Sequence, residues 1–336
     1  MNGRIDMARL AELAGVSKST VSRALSDSPL VSKSTKQAIM ALANEAGYTL
    51  NTAARNFRLG RTGVVSVVLT LEPDSTQTTS DPFFMTMIAE IAEHLRERGY
   101  NTLLSHERLT SSEMFLRSQT RQGSDGVVFI GQGKLHQTLN QLADSKLPMV
   151  VWGADLPDRR YPVVGSDNEQ GGYLACEHLL SKGCQAIGFL GDLDYPEPEL
   201  RYSGYCRSLK GTNFTVVPPS SVPSVSFDPS QSREVVRDYL LRNPQLDGLV
   251  CCSDTIAIAA VSVIQELGKR VPEDIAVVGY DNLLIAELTH PRLTSIDQNV
   301  SLGAKRLCDA LFEQMDEKIM SRDDMSEARL IVRASA

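Results

Sequence analysis

The chain has 336 residues, room for one large domain or two to three ordinary ones, and its 42% hydrophobic and 22% charged content is that of a soluble globular protein. No apolar run approaches the ~18 residues of a membrane span and no basic-then-apolar leader opens the chain, so a cytoplasmic protein is expected, not a membrane or exported one. The net charge of -7 argues against nucleic acid on average, but residues 1–62 hold nine Lys/Arg against four Asp/Glu, leaving 25 basic and 37 acidic residues in the remainder; a basic head on an acidic body suits a protein that meets phosphates at one end.

A first helix is predicted from about Met7 to Ala14, with Asp6 as N-cap and Ile5 packing on Leu10. Leu10, Leu13 and Ala14 share its apolar face, and Gly15 supplies the positive φ that ends it. Ser17 caps a second helix, about Lys18 to Leu25, with Val21, Ala24 and Leu25 inward and Lys18, Ser19, Ser22 and Arg23 outward. Ser32 caps a third, about Lys33 to Ala46, with Ile39, Leu42, Ala43 and Ala46 on its buried stripe and Gly47 as its stop. A capped helix, a glycine turn and a second capped helix fall at helix-turn-helix spacing, and the outer face of the second helix has the size and chemistry to enter a major groove. The competing reading is an ordinary three-helix cluster with solvated charges; the local positive charge weighs against it. Residues 51–63, NTAARNFRLGRTG, are weakly helical and too short to hold a helix alone. They are either a plain linker or a segment that folds against DNA or a second copy.

From Val64 the pattern changes to short β-branched runs alternating with amphipathic stretches. Strands are predicted at 64–71, 102–105, 126–130, 149–152, 163–165, 186–190, 249–252 and 275–280, and helices at 82–98, 111–122, 135–145, 168–182, 230–242, 255–267 and 300–315. Such alternation implies parallel sheets with helices on both faces, in two similar halves with a break near 155–162, and a ligand cleft beyond the strands' carboxyl ends. The six cysteines form no CxxC pair and mostly sit in apolar runs, so they read as reduced core residues rather than a redox switch. The five histidines are scattered, Gly131-Gln132-Gly133 lacks the third glycine of a dinucleotide fingerprint, and no GxxxxGK[ST], HExxH or GxSxG occurs. Neither a metal, a cofactor nor an enzyme activity is expected. A solute-binding transport protein would share the body but have no use for the head.

Val16–Leu25, followed by Asn51-Thr-Ala-Ala-Arg, closely resembles the lactose-repressor (LacI/GalR) family of bacterial transcription regulators, and the likeness runs over essentially the whole chain. The resemblance implies a helix-turn-helix DNA-binding domain (1–50), a hinge helix or linker (51–62) and an effector-binding and dimerisation core (63–336). The core would be of periplasmic-binding-protein type, with two doubly wound parallel-sheet lobes, about 63–163 with 296–325 and about 164–295 with 326–333. Lys18, Ser19 and Arg23 would read base edges, and Ser17, Thr20 and Ser22 would hold phosphates. Residues 51–59 would order on the operator, with Asn51, Ala54, Phe57 and Arg58 at the DNA. Phe57 stands where the family usually has a leucine wedge, a role phenylalanine can fill; Leu50 replaces a common proline, implying a looser hinge.

In the core, Arg201 is the leading effector-site residue, since a guanidinium can clamp a carboxylate or vicinal hydroxyls; a surface salt bridge is its alternative. Asp281 follows a strand, to accept from a hydroxyl or amine or to cap a helix. Phe84, Trp152 and Phe227 could stack on a ring or sit in the core. Tyr195 and Glu197 match positions that line the family's pocket, and Asp254 either orients the pocket or caps the helix after it. Acids and aromatics suit a sugar. The family mechanism is a shift between lobe angles that moves paired hinges together or apart. With no leucine heptad after Arg333, a homodimer reading a near-palindromic double-stranded operator is expected.

Overall fold

The computed structural model describes residues 6–25, 28, 30–46, 61–71, 77–105, 111–212, 216–226, 228–316 and 323–336. The chain forms two compact units, Met1–Thr62 and Gly63–Ala336.

In the first unit, α1 (Met7–Leu13), α2 (Lys18–Leu25) and α3 (Lys33–Glu45) close around Leu10, Ala11, Val21, Ala24, Ile39 and Ala43. Asp6 caps α1 by accepting from the Arg9 N–H at 2.8 Å. Gly15 has φ +64°, the left-handed turn that points α2 across α1. The apolar face of α1 is set by Leu10 and Ala11; Leu13, expected to share it, is 47% exposed.

In the second unit, one all-parallel sheet has the order β10-β5-β4-β3-β1-β2, from Asp323–Ser326 (β10), Val163–Ser166 (β5), Met149–Trp152 (β4), Gly126–Ile130 (β3), Val64–Leu69 (β1) and Asn101–Ser105 (β2). Helix α4 (Pro82–Glu97) and α12 (Val300–Met315) cover one face, burying Val128 and Ile130; α5 (Ser112–Gln122) and α6 (His136–Ala143) cover the other, burying Val127 and Phe129. Burial on both faces is why these strands read as unbroken apolar runs. The second sheet has the order β11-β9-β8-β7-β6, from Arg329–Ile331 (β11), Thr294–Asp297 (β9), Ala276–Asp281 (β8), Gly248–Cys251 (β7) and Ile187–Leu190 (β6); β11 alone runs antiparallel. Around it lie α7 (Asn168–Ser181), α8 (Pro196–Leu209), α9 (Pro229–Arg242), α10 (Asp254–Glu266) and the short α11 (Leu284–Leu288).

The chain passes between the sheets three times, after β5, after β9 and after β10. These points lie up to three residues from the expected boundaries: residues 164–166 and Ser326 belong to the first sheet, and Ile296 and Asp297 to the second. Strands β9–β11 and helices α8 and α11 were not anticipated as elements. Helix α8 carries Pro196 and Pro198 in its first turn, where the missing N–H is no loss. It packs against α7 through glycines. A Cβ on Gly172 would stand 1.9 Å from the Arg201 carbonyl oxygen, and one on Gly204 1.9 Å from that of Glu169. That close approach seats Arg201.

Candidate functional site

The outer face of α2 presents Lys18, Ser19 and Arg23 as exposed side chains, with Ser17 exposed at its start and Thr20 and Ser22 half-buried beside them. Lys18, Ser19, Ser22 and Arg23 recur at spacings of three and four and so lie on one side, opposite buried Val21 and Ala24. Ser17 Oγ accepts from the Thr20 N–H at 3.1 Å and lies 2.7 Å from Ser19 Oγ and 2.9 Å from Thr20 Oγ1. The hydroxyls of Ser17, Ser19 and Thr20 therefore form one hydrogen-bonded group at the amino end of α2, where the helix dipole favours an anion. Asn51, Ala54, Phe57 and Arg58, expected at the hinge, lie outside the described residues, as does Phe227.

Between the two sheets, at the carboxyl ends of their strands, lies a cavity of about 120 Å³. Phe84, Trp152, Tyr195, Glu197, Arg201 and Asp281 all line it. Arg201 comes from α8 and is 8% exposed. Its Nε donates to Asn168 Oδ1 at 2.8 Å, its Nη1 donates to the Cys252 carbonyl, and its Cζ stands 3.7 Å from the centre of the Tyr280 ring. These contacts fix the guanidinium plane before any ligand arrives, which lowers the entropy lost on binding.

Asp281 ends β8 with φ +109°, and Asn282 follows with φ +53°. Both values are costly for residues with a side chain, on the order of 1–3 kcal/mol each. The turn is held by Asp254, which accepts from the Leu283 N–H at 2.8 Å and from Ser295 Oγ at 2.6 Å. Asp254 is fully buried and does not line the cavity, and the N-cap of α10 is Ser253, whose Oγ accepts from the Ile256 N–H. Of the two roles expected of Asp254, the cap belongs to Ser253, and Asp254 braces the turn that aims Asp281. Burial pushes the Asp281 carboxyl well above its ordinary range, with Arg201 pulling the other way; burial likewise raises Asp254, against the hydrogen bonds from Ser295 and Leu283.

Several cavity residues were not singled out from sequence. Asp81 caps α4 by accepting from the Phe83 N–H at 2.9 Å and is raised by burial. Phe83 leans on Trp152, ring centres 6.4 Å apart. Gln132, fully buried, donates to the Ala154 carbonyl at 2.7 Å and to Tyr161 Oη at 2.9 Å while accepting from the Ala154 N–H at 2.9 Å. Gln298 donates to Asp281. Position just past a strand end was the one available signal for Gln132 and Gln298. Glu197 is half-buried, raised by burial and lowered by Arg201. At the mouth, Lys134 pairs with Asp194 across the cleft at 3.2 Å and stands 5.7 Å from the Tyr195 ring centre. Both partners are largely exposed, so the pair contributes about 1 kcal/mol at most.

The lining thus sets four carboxylates (Asp81, Asp192, Glu197 and Asp281) and one guanidinium against an aromatic wall. It can accept hydrogen bonds from several donors on a ring-shaped ligand and has no cationic surplus for a phosphate. Among the described residues, no helix is long and apolar enough to cross a membrane, and no cluster of three or more His, Cys, Asp or Glu could hold a metal.

A groove-sized polar helix on a basic unit, joined to a two-sheet body with a ligand-sized cleft, defines a ligand-responsive DNA-binding regulator. Residues 7–51 match the bacterial regulatory proteins of the lacI family, and residues 176–336 match a periplasmic binding protein-like domain. The HTH-type transcriptional repressor PurR of Aliivibrio salmonicida is 30% identical over 315 residues, 92% of each chain; that of Pasteurella multocida is 28% identical over 320 residues, 93% of this chain and 92% of the other. Among solved structures, a transcriptional regulator CelR–cellobiose complex superposes with a TM-score of 0.70 at 27% identity over 99% of this chain and 100% of that one. The lac repressor dimer bound to operator gives 0.75 at 21% identity over 99% of each, a likeness of fold. The chain belongs to the lacI family of bacterial regulatory proteins, and is a DNA-binding transcriptional repressor of that kind.

Proposed function

We propose that the repressor is controlled by a small carbohydrate bound between the two lobes of its core. The observation that carries this is the cavity lining: acceptor carboxylates from both lobes, one pre-oriented guanidinium and aromatic rings. Sugar hydroxyls donate to Asp281, Glu197 and Asp81 and accept from Arg201, while the sugar's C–H face lies on Trp152 and Phe83. The similarity to a cellobiose-bound regulator supports the same reading. A nucleobase is the second reading, favoured by the Phe83–Trp152 pair as an aromatic surface on which a base could stack.

Lys18, Ser19 and Arg23 read bases, Ser17, Thr20 and Ser22 hold phosphates, and residues 51–62, with Asn51, Ala54, Phe57 and Arg58, link the reading head to the core. Two copies act together on a near-palindromic operator. Helix α11 supports a homodimer: Leu284 and Leu288 are each 76% exposed and Ile285 is 43% exposed, an apolar face that a second copy would cover. Ligand binding changes the lobe angle and, through it, the operator affinity.

A thermal-shift panel of neutral sugars, nucleobases and phosphorylated metabolites tests the ligand reading. A ligand at ~100 times its dissociation constant adds about 2.7 kcal/mol to stability. Stabilisation by sugars is the expected result; stabilisation by phosphorylated compounds alone would overturn it.

A further inference from the structure

Gln298 lies in the passage between β9 and α12, where its side chain is 2% exposed. Ser166, the last residue of β5 in the first sheet, donates from Oγ to Gln298 Oε1 at 2.8 Å. With its oxygen so engaged, the amide turns Nε2 toward Asp281, the last residue of β8 in the second sheet, and donates to Oδ1 at 2.6 Å. One planar amide therefore bridges a strand end in each lobe. Its backbone neighbours are fixed as well: the Asn299 N–H donates to Asp297 Oδ1 at 2.8 Å, and Asn299 Oδ1 accepts from the Leu302 N–H at 3.3 Å. The third passage is tied to the first, since the Asp167 N–H donates to the Ser326 carbonyl at 2.9 Å.

We propose that Gln298 is a positioning residue that couples ligand contact at Asp281 to the angle between the lobes, an inference that rests on reading the cleft as the ligand site. Good hydrogen bonds span only about 2.7–3.2 Å, so both bonds persist together over a narrow range of separations of the two strand ends. Rotation of the lobes breaks one of them and leaves a buried polar group unpaired. A ligand that donates to the second oxygen of Asp281 holds that carboxylate in place, and through Gln298 holds Ser166 and the first lobe.

The test uses the full chain without DNA or ligand. Trp152 is the only tryptophan, is 4% exposed and lines the cleft, so acrylamide quenching of its fluorescence reports cleft opening. Gln298→Ala, shown folded by circular dichroism, raises the quenching constant about threefold as the open form becomes the larger population. Gln298→Glu sets a second carboxyl against Asp281, which also faces Arg201, Asp254 and Asp81. That variant quenches like the alanine variant at alkaline pH, where both carboxyls are ionised, and increasingly like the parent as the pH falls and the two come to share a proton. Native quenching in folded Gln298→Ala, or a pH-independent Gln298→Glu, overturns the assignment. Cellobiose and hypoxanthine then serve as probes. If neither protects Trp152 in the parent while the ligand-free differences stand, the ligand reading has failed and the bridging role of Gln298 has not.

Discussion

Replacing Gly172 with alanine tests whether the contact between α7 and α8 seats Arg201. The added methyl would stand 1.9 Å from the Arg201 carbonyl oxygen, 2.6 Å from its carbon and 2.8 Å from its Cα, where ordinary contact begins near 3.4 Å. The shortfall is about 1.5 Å, far beyond what a packed helix pair absorbs by local adjustment. The obstacle is backbone, so no side chain can swing aside and the helices must part. Overpacking of this kind costs about 3 kcal/mol at the upper end, and the gain in helix propensity of alanine over glycine returns about 1 kcal/mol. The net loss of about 2 kcal/mol corresponds to a melting temperature lower by about 4 °C for a core of this size. Differential scanning fluorimetry measures it. Gly204→Ala, which meets the Glu169 carbonyl at 1.9 Å from the other helix, should give a similar loss, and the double variant less than the sum, because either change alone already separates the helices. Because Arg201 moves with the strained backbone, effector affinity should fall in both variants while operator affinity without effector is kept. A Gly172→Ala protein that melts within 1 °C of the parent would refute the reasoning.

Arg23→Ala should weaken operator binding by about 1–3 kcal/mol and relax base preference at one position of each half-site; equal weakening on every sequence in a gel-shift series would assign Arg23 to the backbone instead. Arg201→Ala leaves Asn168 Oδ1 and the Cys252 carbonyl without their donor, costing about 2 kcal/mol of stability and abolishing the effector response while operator binding persists; an unchanged response would remove Arg201 from the site. Asp281 carries a folded-state pKa raised by burial, so its stabilising contribution is complete below the unfolded value near 4 and is lost as pH rises through the folded value. Asp281→Asn should therefore melt above the parent at pH 8, with the gap closing toward pH 4, and a gap that widens on acidification would reverse the sign. Leu288→Glu places a charge on the exposed face of α11 and should shift sedimentation from dimer to monomer, leaving the melting of the core nearly unchanged.

The parallel strands were readable because burial on both faces leaves a plain signature: Val127–Ile130 and Met149–Trp152 have no polar residue to break the run. The three helices of the head were readable from caps and a glycine turn. Helix α8 was not, because two prolines and a glycine lower its propensity and its stability comes from packing on α7. In the site, Arg201 stood out through residue type and the motif around it, and Asp281 through its position after a strand. Gln132 and Gln298 did not, since a glutamine becomes informative only when its partners, distant in sequence, are known. Asp254 shows the converse: a carboxylate at a strand end drew notice, yet its neighbour Ser253 caps the helix and Asp254 turns away to hold the backbone of another loop.

The three passages between the sheets also bear on how the core is made. Strand β10 completes the first sheet and β11 the second, and Ser335, wholly buried, bonds both the Val277 carbonyl and the Thr294 N–H. Neither half can finish while residues beyond 323 are still inside the ribosome. At about 5–20 residues per second, translation leaves the edge of β5 waiting roughly 8–32 s for β10 and that of β9 roughly 2–7 s for β11, so nascent chains of this architecture should depend on chaperone protection through the second half of synthesis.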